Sequence, residues 1–451
     1  MIVLKFGGTS VADAEAIERA GAIVRSRQAG GAVVVVSAMS GVTNALLEIA
    51  EQAACGQLIV ALQLVEGLRT RHLRTAEALL GSGTETDELC GDLSALWDDV
   101  ANLAAALSVL GHLTPRSQDA IAAYGELCSA PLVAASFRRR GVPAVELDAR
   151  TIVITDDSFG RAAPKADAIA RAARDHLLPR LSAGDVPVLG GFVGGTAQGV
   201  PTTLGRGGSD FSAALLGAAL DAQAIEIWTD VDGMLTADPR LVPDARLIEE
   251  IRFDEASELA TFGAKVLHPS TIAPAVRLGI PVSVLNSRRA GGPGTLIAFD
   301  APTRPVTAIA GKTGVTVVKV RSPRMLLAHG FLARIFEICD RHRTSVDVVA
   351  TSEISVSLTI DDARHLDSLL VDLRQLGDAS VERNRGIVAL VGAGLGRDSD
   401  AMARALGALR ATRVHMLSLS ASGINLTMVL DEDQVAPAMV RLHDAFFGAG
   451  A

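Results

Sequence analysis

The chain is short of several residue types, and each shortage narrows what it can be. Of its 451 residues only five are lysine (Lys5, Lys165, Lys265, Lys312 and Lys319), 3% are aromatic and four are cysteine. Acid outnumbers base, 51 Asp and Glu against 42 Lys and Arg, for a formal net charge of -9. Nucleic-acid binders carry a basic face to neutralise phosphates, so that class is excluded. Cys55, Cys90, Cys128 and Cys339 lie far apart, without a C-x-x-C pair or a neighbouring histidine cluster. This argues against a disulfide framework or a zinc site and for reduced thiols in a cytoplasmic protein. Residues Ile2 to Phe6 read as a strand, with no signal-peptide pattern around them. The uncharged runs Gln28 to Leu47 and Val186 to Gly205 are broken by Gly, Pro, Asn, Ser and Thr, and read as buried strand plus glycine loop, not as membrane spans.

What is abundant is apolar residues, 49% of the chain, enough for two to four well-packed domains. Short β-branched runs (Ile2 to Phe6, Ala32 to Ser37, Ala144 to Leu147, Val186 to Leu189, Ala224 to Thr229, Val282 to Val284) alternate with helical periodicity. The helices are expected at Ala12 to Arg27, Thr43 to Ala54, Ser117 to Arg140, Pro164 to Leu181, Asp210 to Leu220, Phe253 to Phe262 and Thr271 to Leu278. Continuously apolar strands between helices predict an α/β sandwich around a mostly parallel sheet. Glu51 to Leu113 reads as a helical excursion. The domain reading is a catalytic domain over 1–290 and an Arg, Gly and Pro-rich linker over 291–305. Two tandem β-α-β-β-α repeats follow, 306–383 and 384–451. The first includes helix Met325 to Arg341 and strand Ser345 to Ala350. Strand Val306 to Ala310 is expected to complete the sheet of the second repeat, making the two interleaved.

Three glycine turns follow strands. In the first, Lys5 precedes Gly7, Gly8, Thr9 and Ser10; amides freed of side chains can approach an anion, and the following helix adds positive potential. The second holds Ser37, Gly41 and Thr43. The third and densest runs from Gly190 through Thr203, Leu204, Gly205, Arg206, Gly207, Gly208 and Ser209 to Asp210. Arg206 can grip a carboxylate through two bonds, and Asp210 can organise a phosphate site. Thr229 and Asp230 end a strand, where α/β sheets bind ligands; Arg240 follows in a loop, and Lys265 lies beside Gly263. Glu126, on an apolar helix, needs a cationic partner such as a substrate ammonium. Gly392, Gly394 and Gly396 imitate a dinucleotide fingerprint, but no acidic residue ends the next strand, so that reading is rejected.

Together KFGGTSV (Lys5 to Val11), TLGRGGSD (Thr203 to Asp210), WTDVDG (Trp228 to Gly233) and FGAKVLHP (Phe262 to Pro269) resemble the aspartate kinases, in the same order and over essentially the whole chain. The resemblance implies an amino-acid kinase fold, a three-layer sandwich, followed by two ACT-type β-α-β-β-α-β modules. It implies transfer of the ATP γ-phosphoryl group to the β-carboxylate of L-aspartate, the first step toward lysine, threonine and methionine. By this resemblance Lys5 and Asp210 are catalytic. Ser37, Thr43, Glu126, Arg206, Gly207, Gly208 and Ser209 hold aspartate. Lys5, Gly7, Gly8, Thr9, Thr229, Asp230, Leu235, Arg240, Lys265 and Val266 line the ATP site, with Mg²⁺ bridging phosphates and no protein metal site. Met325, Phe331, Leu332, Ser345, Val346, Asp347, Thr351, Ser352 and Glu353 match an effector pocket, with lysine the expected inhibitor and Asp347 facing its ammonium. A homodimer through the ACT modules is expected. A same-fold kinase for another small acid is disfavoured by Glu126 with Arg206 and by the two-module tail. A catalytically silent amino-acid sensor is disfavoured by Lys5, Arg206, Asp210 and Lys265. Lys165, Lys312 and Lys319 acquire no role.

Overall fold

A computed structural model describes residues 1–262, 269–326 and 329–448. They form two compact units. The first comprises Met1–Met234 and Val266–Phe299, and the second Leu235–Lys265 and Asp300–Ala451.

In the first unit, strands Ala144–Leu147, Val186–Gly190, Ala32–Val36, Ile2–Phe6, Ala224–Thr229 and Val282–Asn286 lie side by side in that order, all parallel. Thr295–Ala298 adds an antiparallel strand beside Val282–Asn286. The central strands are apolar on both faces because both faces are covered, and Val33, Val34, Val35 and Val36 have no exposed surface. Burying one such side chain contributes about 1.5–3 kcal/mol. Leu4, Phe6, Val34 and Val36 join one core with helices Ala14–Arg27, Val42–Ala54 and Tyr124–Arg139. On the other side Val35 meets Gly191, which in turn abuts Ser209 of helix Gly208–Ala219.

The expected excursion is a pair of long helices, Leu58–Leu80 and Thr84–Leu110, joined through a short turn. Thr84–Leu110 and the stretch Pro115–Arg139 are long and apolar enough to cross a membrane. The second is largely buried inside the protein, and the first packs Leu93, Trp97, Val100 and Leu107 into the same core. The helix expected over Ser117 to Arg140 divides into Pro115–Ala122 and Tyr124–Arg139. A small second sheet of Ile154–Thr155, Val193–Thr196 and Pro201–Thr203 escaped the sequence reading, because VGGT and PTT have the composition of loops.

The tail departs from two consecutive modules. Ala308–Arg321 and Asp378–Val391 are fourteen-residue antiparallel strands at the centre of one six-stranded sheet. The stretch read as a separate strand, Val306 to Ala310, is the beginning of the first of these; Ala308, Ile309 and Ala310 face Val391, Leu390 and Ala389 of the second repeat. Further along the same strand, Thr316 to Arg321 pair with Ser355–Ile360 of the first repeat. Helices Phe331–Arg341 and Leu366–Leu373 cover one half of the sheet, and Ser399–Ala408 and Val435–Phe447 the other. The helix expected from Met325 begins only at Phe331, because Gly330 stands in the left-handed region with φ 75°. The strand expected over Ser345 to Ala350 is confined to Val349–Thr351.

Within the stretch expected as the catalytic domain, 1–290, the segment Leu235–Lys265 packs with the tail. Fully buried Glu255 explains part of this, as its carboxylate accepts from Arg252 N (3.1 Å), Thr307 Oγ1 (2.7 Å) and Ala393 N (2.7 Å). Thr236 adds a bond to His443 Nε2 (3.0 Å), and its carbonyl accepts from Ile309 N (2.8 Å). The glycines that imitate a dinucleotide fingerprint serve close packing, and a Cβ on Gly392 would lie 2.2 Å from the Pro305 carbonyl oxygen.

Candidate active site

The parallel strands end on one side of the sheet, and beyond those ends lies a cavity of about 860 Å³. From Ile2–Phe6 the chain builds outward first through Ala32–Val36 and later through Ala224–Thr229, so the crevice sits where the strand order reverses, the usual ligand position of open α/β sheets. Lys5, Gly7, Gly8, Thr9, Ser37, Thr43, Glu126, Thr203, Arg206, Gly207, Gly208, Ser209, Asp210 and Thr229 all line it. Every residue expected from sequence to hold aspartate is therefore in one place.

The backbone frame is shared. Gly7 N donates to the Trp228 carbonyl (3.0 Å), and Ser10 Oγ bonds Ser287 Oγ (2.8 Å), which donates to the Thr229 carbonyl (3.0 Å). Gly207, with φ 72°, turns the chain into helix Gly208–Ala219, whose first amides open on the cavity and attract negative charge. Only glycine fits at Gly191, where a Cβ would lie 2.7 Å from Ser209 Cβ. This close approach seats the helix start against the strand ends.

Four ionisable groups set the chemistry. Lys5 Nζ lies 2.6 Å from Asp210 Oδ1, both largely buried, so the ammonium is fixed in place without being consumed by a deep ion-pair network. Arg206 is exposed at the rim, with no carboxylate partner among the described residues. Glu126 is 3% exposed; its Oε1 accepts from Ala38 N (3.0 Å), while Oε2 has no partner among the described residues. Burial pushes its pKa up to about 8, opposed by the Ala38 amide and the charge of Lys5. An unpaired buried carboxylate oxygen is costly, and a ligand cation would relieve it. No histidine or cysteine lines the cavity among the described residues.

Other expected residues fall elsewhere. Asp230 follows Thr229, whose hydroxyl donates to it (3.3 Å). Leu235 and Arg240 belong to the second unit, where the Arg240 guanidinium holds Asp238 through two bonds. Lys265 and Val266 lie outside the described residues. In the tail, Met325 and Val346 pack at the edge of the core that contains Phe331, and Leu332, Ser345, Thr351, Ser352 and Glu353 are exposed. Asp347, expected to face the effector's ammonium, pairs with Lys312 (3.1 Å), which also holds Asp361. Lys319 pairs with Glu382 (2.6 Å). Two lysines that sequence left without a role are thus ion-pair partners on the central strand. One lining residue gave no signal from composition: Asp119, a buried carboxylate seven residues before Glu126.

Comparison with known proteins agrees with this architecture. Residues 1–286 match the amino acid kinase family and residues 388–446 the ACT domain. The chain is 39% identical over 456 residues to the lysine-sensitive aspartokinase 3 of Escherichia coli strain K12, covering 99% of both chains. It is 37% identical over 463 residues to the chloroplastic aspartokinase 3 of Arabidopsis thaliana, covering 99% of this chain and 81% of that one. Among solved structures, E. coli aspartokinase III with aspartate and ADP in the R-state superposes with a TM-score of 0.86 at 39% identity, covering 99% of this chain and 100% of that one. The same protein with lysine and aspartate in the T-state gives 0.82 at 39% identity, covering 99% of each. With the sheet, the crevice and these relatives in agreement, the chain belongs to the amino acid kinase family, as an aspartate kinase.

Proposed function

We propose that the cavity holds L-aspartate between Glu126, which takes the ammonium, and Arg206, which takes a carboxylate, with Ser37, Thr43, Gly207, Gly208 and Ser209 completing the cradle. The observation that carries this reading is Glu126 Oε2, buried and without a partner among the described residues, in a cavity whose rim also presents the exposed Arg206 guanidinium. ATP lies toward Lys5, Gly7, Gly8, Thr9, Thr229 and Asp230, with Leu235, Arg240, Lys265 and Val266 as further nucleotide contacts. The reaction forms a bond between an oxygen of the aspartate β-carboxylate and the γ-phosphorus, and breaks the bond from that phosphorus to the β,γ-bridging oxygen, releasing ADP.

The acceptor carboxylate is ionised at neutral pH, so no proton need be removed, in keeping with a cavity that no histidine lines among the described residues. Catalysis then consists of positioning and charge stabilisation. Lys5, steadied by Asp210, supplies positive charge at the transferring group. No three acidic, histidine or cysteine side chains gather to form a metal site among the described residues. Mg²⁺ would arrive with the nucleotide and would neutralise phosphate charge, and Asp210, which lines the cavity beside Lys5, is a carboxylate that could help hold it.

The second unit is read as a sensor for lysine, the E. coli relative being lysine-sensitive, acting on a homodimer through the ACT modules in the cytoplasm. Its effector pocket is assigned to Met325, Phe331, Leu332, Ser345, Val346, Asp347, Thr351, Ser352 and Glu353. The test is trapping of aspartyl phosphate with hydroxylamine, using aspartate and N-acetyl-aspartate, with and without lysine or threonine. Hydroxamate from aspartate but not from its acetylated form is expected. Equal turnover of the two acceptors would remove the ammonium from Glu126, and indifference to lysine would remove it as the effector.

A further inference from the structure

Asp119 has a geometry that the roles above do not use. It sits on helix Pro115–Ala122, is 2% exposed and lines the cavity. Its Oδ2 accepts from the backbone amides of Gly160 (2.8 Å) and Thr203 (3.0 Å), and its Oδ1 from the Thr203 hydroxyl (2.7 Å). One carboxylate thereby joins three segments distant in sequence. Thr203 ends the strand that leads directly into the Leu204–Gly207 turn. Gly160 belongs to a loop that closes on the same turn: Ala162 N donates to the Thr203 carbonyl (2.9 Å), and the Gly160 carbonyl oxygen would lie 3.2 Å from a Cβ on Gly205. Arg116, one turn earlier on the same helix, stacks over Phe159 of that loop with 5.9 Å to the ring centroid. The turn that presents Arg206 is therefore held from both sides by contacts that converge on Asp119.

We propose that Asp119 is a positioning residue for aspartate: by bridging Thr203 and Gly160 it fixes the Gly205–Gly207 turn and so sets where the Arg206 guanidinium meets the substrate carboxylate. A carboxylate suits the task because all three neighbours are donors and none needs to accept. The proposal rests on the assignment of Arg206 to aspartate. Failure of that assignment is separately visible, because Arg206→Ala would then leave the aspartate KM unchanged.

The experiment compares Asp119→Ala, Asp119→Asn and Thr203→Val in the full chain, by steady-state kinetics and by calorimetric binding of aspartate without nucleotide. In Asp119→Ala, displacement of the turn by a fraction of an ångström should raise the aspartate KM and Kd roughly 10- to 100-fold, with the ATP KM within about threefold. Asn can accept both amides through its oxygen and donate to a reoriented Thr203 hydroxyl, so Asp119→Asn should restore aspartate affinity to within about fivefold of the parent. Thr203→Val removes only the hydroxyl bond, and an intermediate rise of roughly three- to tenfold is expected. An unchanged aspartate KM and Kd in Asp119→Ala would overturn the proposal. So would aspartate and ATP KM values rising together with a fall in Tm, which would mark general loosening, or an Asp119→Asn variant as impaired as Asp119→Ala. Should Asp119→Ala fail to fold, an unchanged aspartate KM in Thr203→Val overturns it.

Discussion

The most informative single residue is Glu126. In the ligand-free protein burial raises its pKa from 4.5 to about 8, so at pH 7 it holds a proton that the unfolded chain has released. The folded state binds more protons between those two values, and linkage then fixes the sign. The stability contributed is complete below about pH 4.5 and is lost as pH rises through about 8. Glu126→Gln cannot ionise, and its Tm should fall less than that of the parent between pH 6 and 9; parallel Tm curves would contradict the assigned burial. A substrate ammonium reverses the preference, so aspartate binding at pH 7 should release up to one proton, measurable by calorimetry in buffers of different ionisation enthalpy. Loss of a charge-assisted bond, about 1.5–3 kcal/mol, should lower kcat/KM for aspartate in Glu126→Gln roughly 10- to 150-fold. Lys5→Met should instead act on turnover, lowering kcat by about 10²–10³ with the aspartate KM little changed, because the ammonium is aimed at charge that develops during transfer. Undiminished kcat would remove Lys5 from the mechanism. Lys5, Glu126 and Arg206 were legible in sequence because a charge beside glycine or inside an apolar helix is chemically conspicuous. Asp119 was not, because a lone acid on an amphipathic helix looks like any solvated one until its three donors are seen.

At the scale of elements, the strands buried on both faces were legible from unbroken apolar runs, and the glycine turns from their density. Less legible were elements made by contact alone, such as Val193–Thr196 and Pro201–Thr203, which pair with each other across a short turn and, through Val193–Thr196, with Ile154–Thr155 far back in the chain, although their glycine, threonine and proline content gives no strand pattern. These two strands position the third glycine turn. Phe192 opens the first of them at φ 62°, an uncommon conformation for a non-glycine residue. It is held by Ser212 Oγ accepting from its amide (3.0 Å) and by Leu204 N donating to its carbonyl (2.9 Å). A Cβ on Gly208 would meet the Phe192 ring at 2.7 Å and its Cα at 3.0 Å. Because one contact is backbone already in a demanding conformation, relief by a rotamer change is not enough. Gly208→Ala should cost about 1–3 kcal/mol in a urea melt, as overpacking does, and should lower kcat/KM for aspartate by shifting the helix start. A variant with the parent's melt and kinetics would show that this contact yields freely.

For the whole molecule, the sequence carried the two repeats and the crossing of Val306 to Ala310 to the second, but not the single six-stranded sheet built on two continuous central strands. Local periodicity ends where Gly311 and Gly386 occur. The structure shows why both are small, since a Cβ at either would lie 2.2 Å from Met439 Sδ or Val435 Cγ2 of the overlying helix. The two continuous central strands bring Lys312 from the start of the tail to Asp347 and Asp361 of the first repeat. That cluster holds two carboxylates against one ammonium, a net charge of -1, and further cationic charge would complete it. Burial raises the pKa of Asp347, with Lys312 opposing the shift and Asp361 adding to it, so an arriving ammonium would also relieve an unfavourable ionisation. Asp347→Asn keeps the shape and removes that charge. The ratio of aspartyl-hydroxamate formed without lysine to that formed with it should fall toward one, and the lysine concentration for half-inhibition should rise at least about tenfold, the loss of one charge-assisted bond. Inhibition by lysine that persists at the parent's concentration would show that Lys312 alone satisfies Asp347 and that the effector's ammonium is recognised elsewhere.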